Sequence, residues 1–296
     1  MAIKTVQQAI KLIAGQLEQA GLFYGHGTDN ALDEAAWLVM SVADIPHEAL
    51  DERLDQVLTD KQHDKITELA ERRIQTRKPL AYLLHEAWFC GLKFYVDERV
   101  LVPRSPLAEL IMHGFEPWRG GAPVTAVLDI GTGSGCIAIA CALAFPEARV
   151  DAVDISADAL LVAQRNIEKH GLQHRVRAVH SDLFAALDGH CYDIIVSNPP
   201  YVDTEDMAAL PDEYHHEPEQ GLASGDDGLN HTRHILAQAA GHLNSGGLLV
   251  VEVGNSAKAL MEAFPQLPFS WLEFASGGQG VFLLYREELP DRHPAG

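Results

Sequence analysis

Apolar residues recur every three or four positions through the first eighty residues of the chain. Such a period places the apolar side chains on one face of a helix. The clearest positions are Ile10, Ile13, Leu17, Ala35, Leu38, Val39 and Val42. The pattern therefore predicts a helical region rather than strands.

We expect residues 1–80 to form a small helical bundle. Gly25-His-Gly27 and Ile45-Pro46 interrupt the pattern, a third helix is predicted over 47–58, and a fourth from about 60 to 77. Pro79 prevents extension because it has no backbone N–H to donate. The bundle carries no catalytic motif, so it is either a stabilising cap or, as we favour, a module that docks the substrate beside the active site.

Residues 81–106 have the composition of a β-hairpin linker. The runs 88–97 and 98–102 are rich in β-branched and aromatic residues, and they predict its two strands. Pro103-Arg-Ser-Pro106 follows as an extended turn that leads into a helix near Leu107. We interpret Arg104 as a surface charge or a structural clamp rather than an active-site residue.

From residue 107 to 296 the pattern alternates between short apolar runs and helical periods. The predicted strands are 124–130, 149–153, 175–179, 193–196, 247–253, 269–274 and 280–285, and the predicted helices are 136–143, 157–170, 231–243 and 257–264. Alternation of this kind predicts an α/β fold with a doubly wound sheet. Ligands of such sheets bind at the carboxyl ends of the strands.

Length and composition fit two domains. The chain has 296 residues, of which 47% are hydrophobic, enough to fill a core. No apolar run reaches the roughly 20 residues that cross a bilayer, and the segment with Lys4 and Lys11 has no signal-peptide core. We therefore expect a cytoplasmic protein with no membrane partner.

The four cysteines predict neither a disulfide framework nor a metal site. Cys90, Cys136, Cys141 and Cys191 form no CxxC pair, and no HExxH motif accompanies the fifteen histidines. We expect reduced, mostly buried thiols and no bound metal. The pair His215-His216 is interpreted as part of a solvated loop.

Acidic residues dominate the charge of the second half. The formal net charge is −20, and no Lys or Arg occurs between Arg177 and Arg233, a window that holds twelve acids. Such a surface repels a nucleic-acid backbone and attracts a basic partner. Ordinary solubilising charge explains the excess of acids equally well.

A glycine loop follows the first predicted strand of the sheet. Gly131, Gly133 and Gly135 let a backbone approach a ligand and aim N–H groups at it. Cys136 stands where a dinucleotide fingerprint needs its third glycine, so the loop favours S-adenosylmethionine over NAD.

Three aspartates end strands or follow them closely. Asp154 is expected to accept from both ribose hydroxyls, Asp129 to lie near the methionine ammonium, and Asp182 near the adenine amino group. Each aspartate taken singly is as well explained as a helix cap. The complete set of expected cofactor contacts is Asp129, Gly131, Thr132, Gly133, Gly135, Asp154, Ile155, Asp182, Leu183 and Asn198.

The fourth predicted strand runs into Asn198-Pro-Pro-Tyr201. Pro199 and Pro200 cannot continue a strand ladder, so nearby carbonyls stay free to accept from another group. Asn198 adds an amide and Tyr201 an aromatic face, which together suit a planar amine or amide. Without the glycine loop, the same residues would indicate only a rigid turn.

Three motifs resemble those of the protein N5-glutamine methyltransferases. They are Leu128-Asp-Ile-Gly-Thr-Gly-Ser-Gly135, Ala152-Val-Asp154 and Ser197-Asn-Pro-Pro-Tyr201. The resemblance covers nearly the whole chain. It implies a Rossmann-like class I S-adenosylmethionine-dependent methyltransferase, with a seven-stranded sheet whose last strand is antiparallel and a small N-terminal helical domain.

The family has two branches, which methylate peptide release factors or a large-subunit ribosomal protein. Val100-Leu-Val-Pro-Arg-Ser-Pro106 departs from the Arg-Pro-Glu/Asp-Thr-Glu pattern of the release-factor branch. Together with Glu86-Ala-Trp-Phe-Cys-Gly91 and Phe94-Tyr-Val-Asp-Glu-Arg-Val100, it resembles the branch that acts on ribosomal protein L-three. The implied partner is therefore a basic ribosomal protein, without direct nucleic-acid contact.

The resemblance also implies roles within the loop. The Asn198 side-chain oxygen and the Pro199 carbonyl would accept the two hydrogens of a glutamine amide, Tyr201 would pack on the amide plane, and Pro200 would complete the substrate contact. The alternatives are methylation of the Gly-Gly-Gln motif of release factors, methylation of adenine N6 or guanine N2 in nucleic acid, and a cofactor-binding assembly factor without turnover.

Overall fold

The computed structural model describes residues 5–275 and 277–290; residues 1–4, 276 and 291–296, to which sequence predictions extend, lie outside this range. Its helices are α1 (Val6–Gln19), α2 (Ala31–Ala43), α3 (Leu50–Arg53), α4 (Asp60–Thr76), α5 (Leu80–Leu84), α6 (Leu107–Met112), α7 (Cys136–Ala144), α8 (Ala157–Lys169), α9 (Thr204–Ala209), α10 (Asn230–Gln238) and α11 (Ala257–Ala263). Its strands are β1 (Ala87–Phe89), β2 (Leu92–Phe94), β3 (Ala126–Ile130), β4 (Arg149–Asp154), β5 (Val176–His180), β6 (Tyr192–Ser197), β7 (Leu243–Glu252), β8 (Ser270–Leu272) and β9 (Val281–Tyr285).

The first helices begin where the sequence supplies caps. Thr5 and Gln8 form a capping box at the start of α1, and Thr59 and Gln62 form another at α4. Each box satisfies backbone donors that a helix start leaves free. The apolar faces of α1, α2 and α4 then meet in one buried core.

The predicted third helix over 47–58 is too long, because only residues 47–53 are helical. The chain forms a 3₁₀ turn and the four-residue α3, and then becomes extended. The reason lies in α1, because the carbonyls of Leu54 and Gln56 accept from the N–H groups of Gln7 and Val6. Those two N–H groups lie in the first turn of α1, and the capping box of Thr5 and Gln8 does not satisfy them, so a tertiary contact outweighs local helix propensity.

The hairpin spans residues 87–94, so it begins one residue before the first of its two predicted runs and does not reach the second. β1 pairs with β2 around Cys90 and Gly91, which both have positive φ and so allow a two-residue turn. The predicted second strand over 98–102 is wrong. The Asp97 carbonyl accepts from the N–H of Val100, and the Asp97 side chain binds Arg99, so the chain turns there instead.

The helices α1 to α5, which precede the hairpin, form the helical half of the protein. Its core continues into the segment after the hairpin. Val96, Val100 and Val102 are buried in it, together with Ala159 and Val162 of α8. The Tyr82 hydroxyl of α5 donates to the backbone carbonyl of Val100 over 2.6 Å. The helical half therefore packs directly on the sheet-containing half.

Replacing Tyr82 with Phe is expected to lower the free energy of unfolding by roughly 1–2 kcal/mol, because it leaves the buried Val100 carbonyl without its donor. Tyr24 offers a matched control, since its buried hydroxyl has no hydrogen-bond partner among residues 5–275 and 277–290. Tyr24→Phe should be neutral or slightly stabilising. Urea unfolding of both variants measures the difference, and equal losses would contradict a role for the Tyr82 bond.

The main sheet has seven strands in the order β5-β4-β3-β6-β7-β9-β8. All neighbouring pairs from β5 to β7 are parallel, whereas β9 runs antiparallel to both of its neighbours. The predicted Rossmann-like class I methyltransferase sheet, with its last strand antiparallel, is confirmed. β7 begins at Leu243, earlier than the predicted 247, and β8 is shorter than the predicted 269–274.

Apolar layers cover both faces of this sheet. One contains Leu107, Ile139 and Val150, and the other contains Leu236, Leu260 and Phe282. This double cover explains why the parallel strands read as nearly continuous apolar runs. No helix within residues 5–275 and 277–290 is long and apolar enough to span a membrane.

Candidate active site

The carboxyl ends of β3, β4 and β6 bring the predicted motifs together. β3 lies between β4 and β6, so the chain passes to opposite sides of it, as at the ligand crevice of doubly wound sheets. A Cβ atom added to Gly131 would lie 3.9 Å from the backbone oxygen of Asn198. The glycine loop and the Asn-Pro-Pro-Tyr loop therefore face each other directly.

The glycine loop uses its N–H groups internally. Gly131 and Thr132 both donate to the Val153 carbonyl over 2.9 Å, and Gly133 donates to Asp154 over 2.9 Å. The expectation that these N–H groups point at a ligand is therefore wrong. A pyrophosphate needs such donors, so the loop suits close approach of an uncharged or cationic group better.

Asp129 sits completely buried at the end of β3. Its Oδ2 accepts from the Thr132 hydroxyl over 2.6 Å and from the N–H of Ala138 over 3.0 Å. Its Oδ1 has no partner among the described residues. Burial, only partly offset by these bonds, raises the pKa of Asp129 to about 7. An unsatisfied buried carboxylate oxygen fits a cationic partner such as a ligand ammonium.

Asp129→Asn is expected to stabilise the ligand-free protein more at pH 8 than at pH 5. Because the pKa of Asp129 is higher in the folded protein than the unfolded value near 4, protonation of Asp129 stabilises the folded state. This stabilisation is complete below pH 4 and is lost as pH rises through about 7. Asn cannot ionise but brings its own donors into the site, so we expect a gain of roughly 1 kcal/mol at pH 8. Thermal unfolding at both pH values measures it, and a pH-independent difference would contradict a buried ionisable Asp129.

Asp154 is the last residue of β4 and lies beside the glycine loop. Its two oxygens accept from the N–H groups of Gly133 and Ser156, over 2.9 and 2.8 Å. Burial outweighs these bonds and raises the pKa of Asp154. Each carboxylate oxygen keeps a second lone pair for another donor. Ile155, 49% exposed, presents an apolar surface next to it.

Asp182 and Leu183 follow β5 at the same edge. The N–H of Ser181 donates to the Asp154 carbonyl over 3.0 Å, which fixes this loop beside β4. The Asp182 side chain is exposed, and Leu183 has a φ of 47°. Positive φ is costly for a branched residue and is concentrated at functional loops.

The Asn-Pro-Pro-Tyr loop leaves two polar groups free. Within residues 5–275 and 277–290, neither the Asn198 side chain nor the Pro199 carbonyl has a hydrogen-bond partner. The Tyr201 backbone carbonyl accepts from the Ser256 hydroxyl over 2.8 Å. The loop is thus held from behind while its amide and carbonyl remain available in front.

Two supporting carboxylates, Glu252 and Glu217, escaped the sequence analysis. Glu252 is buried at the end of β7, where it accepts from Tyr201 and Ser105. Glu217 is paired with Arg104, which also stacks on the Tyr214 ring at 5.3 Å. Asp129 and Asp154 were selected because they lie at the ends of predicted strands. Glu252 ends β7 in the same way, so the same criterion would have identified it.

Two of the twelve acids between Arg177 and Arg233, Glu213 and Glu217, are buried. Glu213 accepts from the N–H of Phe23 and pairs with Arg73 and Arg77, and Glu217 lies against His26 and Arg104. Burial alone would raise the pKa of Glu217, but Arg104 and His26 together outweigh it and hold the pKa at about 2. The acids of this window that remain exposed include Glu205, Asp212, Glu219 and Asp226.

A cavity of about 670 Å³ opens at the other end of the sheet. Ala126, Arg149, Val176 and Tyr192, from the amino ends of four strands, help to line it. Ligands of doubly wound sheets bind at the carboxyl ends, and the free polar groups lie there too. Cavity volume therefore does not locate the active site here.

Two family models match the two halves of the chain. One described as PrmC N-terminal domain matches residues 8–84, and one described as Methyltransferase small domain matches residues 122–225. Among solved structures, the hMettl16 catalytic domain in complex with MAT2A 3'UTR hairpin 6 has a TM-score of 0.52 and 18% identity. That match covers 78% of this chain and 84% of the other, and it shows the fold alone.

Two curated relatives match almost the full length. Both are named ribosomal protein uL3 glutamine methyltransferase, from Neisseria gonorrhoeae (strain ATCC 700825 / FA 1090) and Neisseria meningitidis serogroup A / serotype 4A (strain DSM 15465 / Z2491). Each is 48% identical over 288 residues, which is 97% of this chain and 96% or 95% of the relative. Helical half, hairpin and sheet are all within the matched region.

Proposed function

We infer the reaction from family membership: this chain belongs to the ribosomal protein uL3 glutamine methyltransferases, and we propose that it methylates a glutamine side-chain amide of uL3 with S-adenosylmethionine as donor. The methyl group would go to the amide nitrogen, N5. Belonging to this family agrees with the resemblance drawn from the three sequence motifs.

One observation carries the chemistry. The Asn198 side chain and the Pro199 carbonyl have no hydrogen-bond partner within residues 5–275 and 277–290, and they belong to a loop that lies beside the glycine loop. The backbone oxygen of Asn198 would lie 3.9 Å from a Cβ added to Gly131. A primary amide has two N–H hydrogens, and these two acceptors match them. Tyr201 and Pro200 would flank the amide plane and complete the substrate contact.

The same edge of the sheet offers contacts for the donor. Asp129 has an unsatisfied buried oxygen for an ammonium group, and Asp154 has spare lone pairs for ribose hydroxyls. Ile155, Asp182 and Leu183 provide an apolar surface and a carboxylate for an adenine ring. Thr132, Gly131, Gly133, Gly135 and Asn198 complete the set, and S-adenosylmethionine supplies an electrophilic methyl group on its sulfonium.

The protein contributes positioning rather than basicity. A glutamine amide nitrogen is a weak nucleophile because its lone pair is delocalised, and no side chain at neutral pH can deprotonate it beforehand. Acceptance of both amide hydrogens by Asn198 and Pro199 orients the nitrogen towards the methyl group. The same two bonds strengthen as positive charge develops on nitrogen in the transition state.

We further propose that the helical half, residues 1–80, docks the substrate. The loop after Tyr201 is attached to it, because Glu213 pairs with Arg73 and Arg77 and lies against Phe23. A partner that binds the helical half is thereby placed beside the Asn198-Pro-Pro-Tyr201 loop, the reactive loop. The exposed acids Glu205, Asp212, Glu219 and Asp226 favour a basic partner over nucleic acid.

A competition assay tests the substrate. The protein is incubated with methyl-labelled S-adenosylmethionine and equal amounts of purified uL3, a peptide release factor and ribosomal RNA. We expect label in uL3 even when RNA is omitted. Label confined to the release factor or to the RNA would contradict the proposed substrate.

A further inference from the structure

Three segments that are far apart in sequence meet behind Tyr201. The turn at 103–106 brings Ser105, the end of β7 brings Glu252, and the reactive loop brings Tyr201. The Ser105 hydroxyl donates to Glu252 Oε2, and the Tyr201 hydroxyl donates to Glu252 Oε1 over 3.2 Å. Each oxygen of one carboxyl group therefore holds one hydroxyl.

Two of these three side chains, Glu252 and Ser105, are shielded from water. Glu252 is 5% exposed and Ser105 is 7% exposed. Burial raises the pKa of Glu252 despite the bonds from Ser105 and Tyr201. A buried carboxyl group that loses such a partner cannot replace it with water, so the three side chains fix one another.

The Tyr201 ring has little freedom on its other sides. A Cβ added to Gly254 would lie 2.5 Å from its Cε2 atom, so only glycine leaves room for the ring there. The backbone carbonyl of Tyr201 is held by Ser256 over 2.8 Å. With its hydroxyl bound to Glu252, the tyrosine is fixed at the ring edge, at the hydroxyl and at the backbone.

The same turn also reaches the helical half. Arg104, next to Ser105, makes two hydrogen bonds to Glu217, over 2.6 and 2.7 Å. Glu217 also lies 3.5 Å from His26, which stands between Gly25 and Gly27 in the helical half. The turn thus connects the reactive loop with the half that we assign to docking.

We propose that Ser105 and Glu252 are positioning residues for methyl transfer: they fix Tyr201 through its hydroxyl and so hold the Asn198 amide and the Pro199 carbonyl in the orientation that the reaction needs. This inference rests on the proposed function. Ser105 and Glu252 do not contact the substrate and act only through Tyr201.

The test compares Tyr201→Phe, Glu252→Gln and their double variant. Tyr201→Phe removes the hydroxyl that donates to Glu252, and Glu252→Gln replaces the carboxylate that accepts from Tyr201 and Ser105 with a neutral amide. Both changes keep the size of the side chain. We expect each to lower kcat about 10-fold while the affinity for S-adenosylmethionine, measured by calorimetry, stays within about 2-fold. Because both changes act on the bond between Tyr201 and Glu252, kcat of the double variant should also be about 10-fold lower than that of the wild type.

Tyr192→Phe is the matched control. Its hydroxyl donates to Asp151 over 2.8 Å, at the amino end of the same sheet, so the chemical change is the same and the distance from the site is large. We expect normal kcat in this variant. Ser105→Ala should lower kcat, and Ser105→Thr, which keeps a hydroxyl, should restore it.

Three results would overturn the inference: normal kcat in Tyr201→Phe and Glu252→Gln, multiplied losses of about 100-fold in the double variant, or an equal loss in Tyr192→Phe. A wild-type protein that methylates no uL3 would instead remove the proposed function, and this inference with it. Thermal unfolding of every variant accompanies the kinetics, because the Ser105 hydroxyl also accepts from the N–H of Leu107, the first residue of α6.

Discussion

Asn198→Ala is expected to lower the rate of methyl transfer about 100-fold, the usual cost of removing one hydrogen bond that strengthens in the transition state. The Asn198 side chain has no partner among the described residues, so its loss leaves no protein group unsatisfied. The fold and the affinity for S-adenosylmethionine should therefore stay near normal. Single-turnover kinetics with uL3 measures the rate, and calorimetry measures the affinity.

Asn244→Ala controls for the loss of an amide as such. Asn244 donates to Asp193 over 2.7 Å at the opposite end of β6, away from the reactive loop. Its replacement should leave the transfer rate unchanged. Full turnover by Asn198→Ala, or an equal loss in both variants, would show that Asn198 does not orient the substrate amide.

Asp154→Ala is expected to weaken the binding of S-adenosylmethionine about 100-fold, because two hydrogen bonds from ribose hydroxyls to a carboxylate would be lost. The N–H groups of Gly133 and Ser156 also lose their acceptor, so the glycine loop itself should loosen. Once donor is saturating, the rate of transfer should recover most of its normal value. That pattern separates Asp154 from Asn198, whose loss cannot be rescued by more donor.

Asp151→Ala is the control for this prediction, since Asp151 lies on the same strand but binds Arg177 and Tyr192 at the remote end. It should lower stability without changing the affinity for the donor. Calorimetry of both variants makes the comparison. Unchanged affinity in Asp154→Ala would exclude Asp154 from the donor site.

The parts of the fold that could be predicted from sequence are those set by local patterns. The parallel strands show continuous apolar runs because both faces of the sheet are covered, and Gly131 to Gly135 mark the turn after β3. Asp129, Asp154 and Asn198 could be placed together because carboxyl ends of parallel strands share one edge. Those predictions needed no knowledge of distant partners.

The errors arose where distant contacts decide the structure. Glu213 is bound by the N–H of Phe23, 190 residues away, and Glu217 by Arg104, 113 residues away. A glutamate paired in this way cannot be distinguished in sequence from one in solvent, so both were assigned to an acidic surface. The extended segment after α3 has the same origin, since the carbonyls of Leu54 and Gln56 cap α1.

Mass spectrometry of uL3 after reaction with this protein tests the proposed reaction most directly. Fragmentation should place one added methyl group on the side-chain amide of a single glutamine, with none added by Asn198→Ala over the same time. A methyl group on a lysine, an arginine or the amino terminus of uL3, or no methylation by the wild-type protein, would contradict glutamine N5 methylation of uL3.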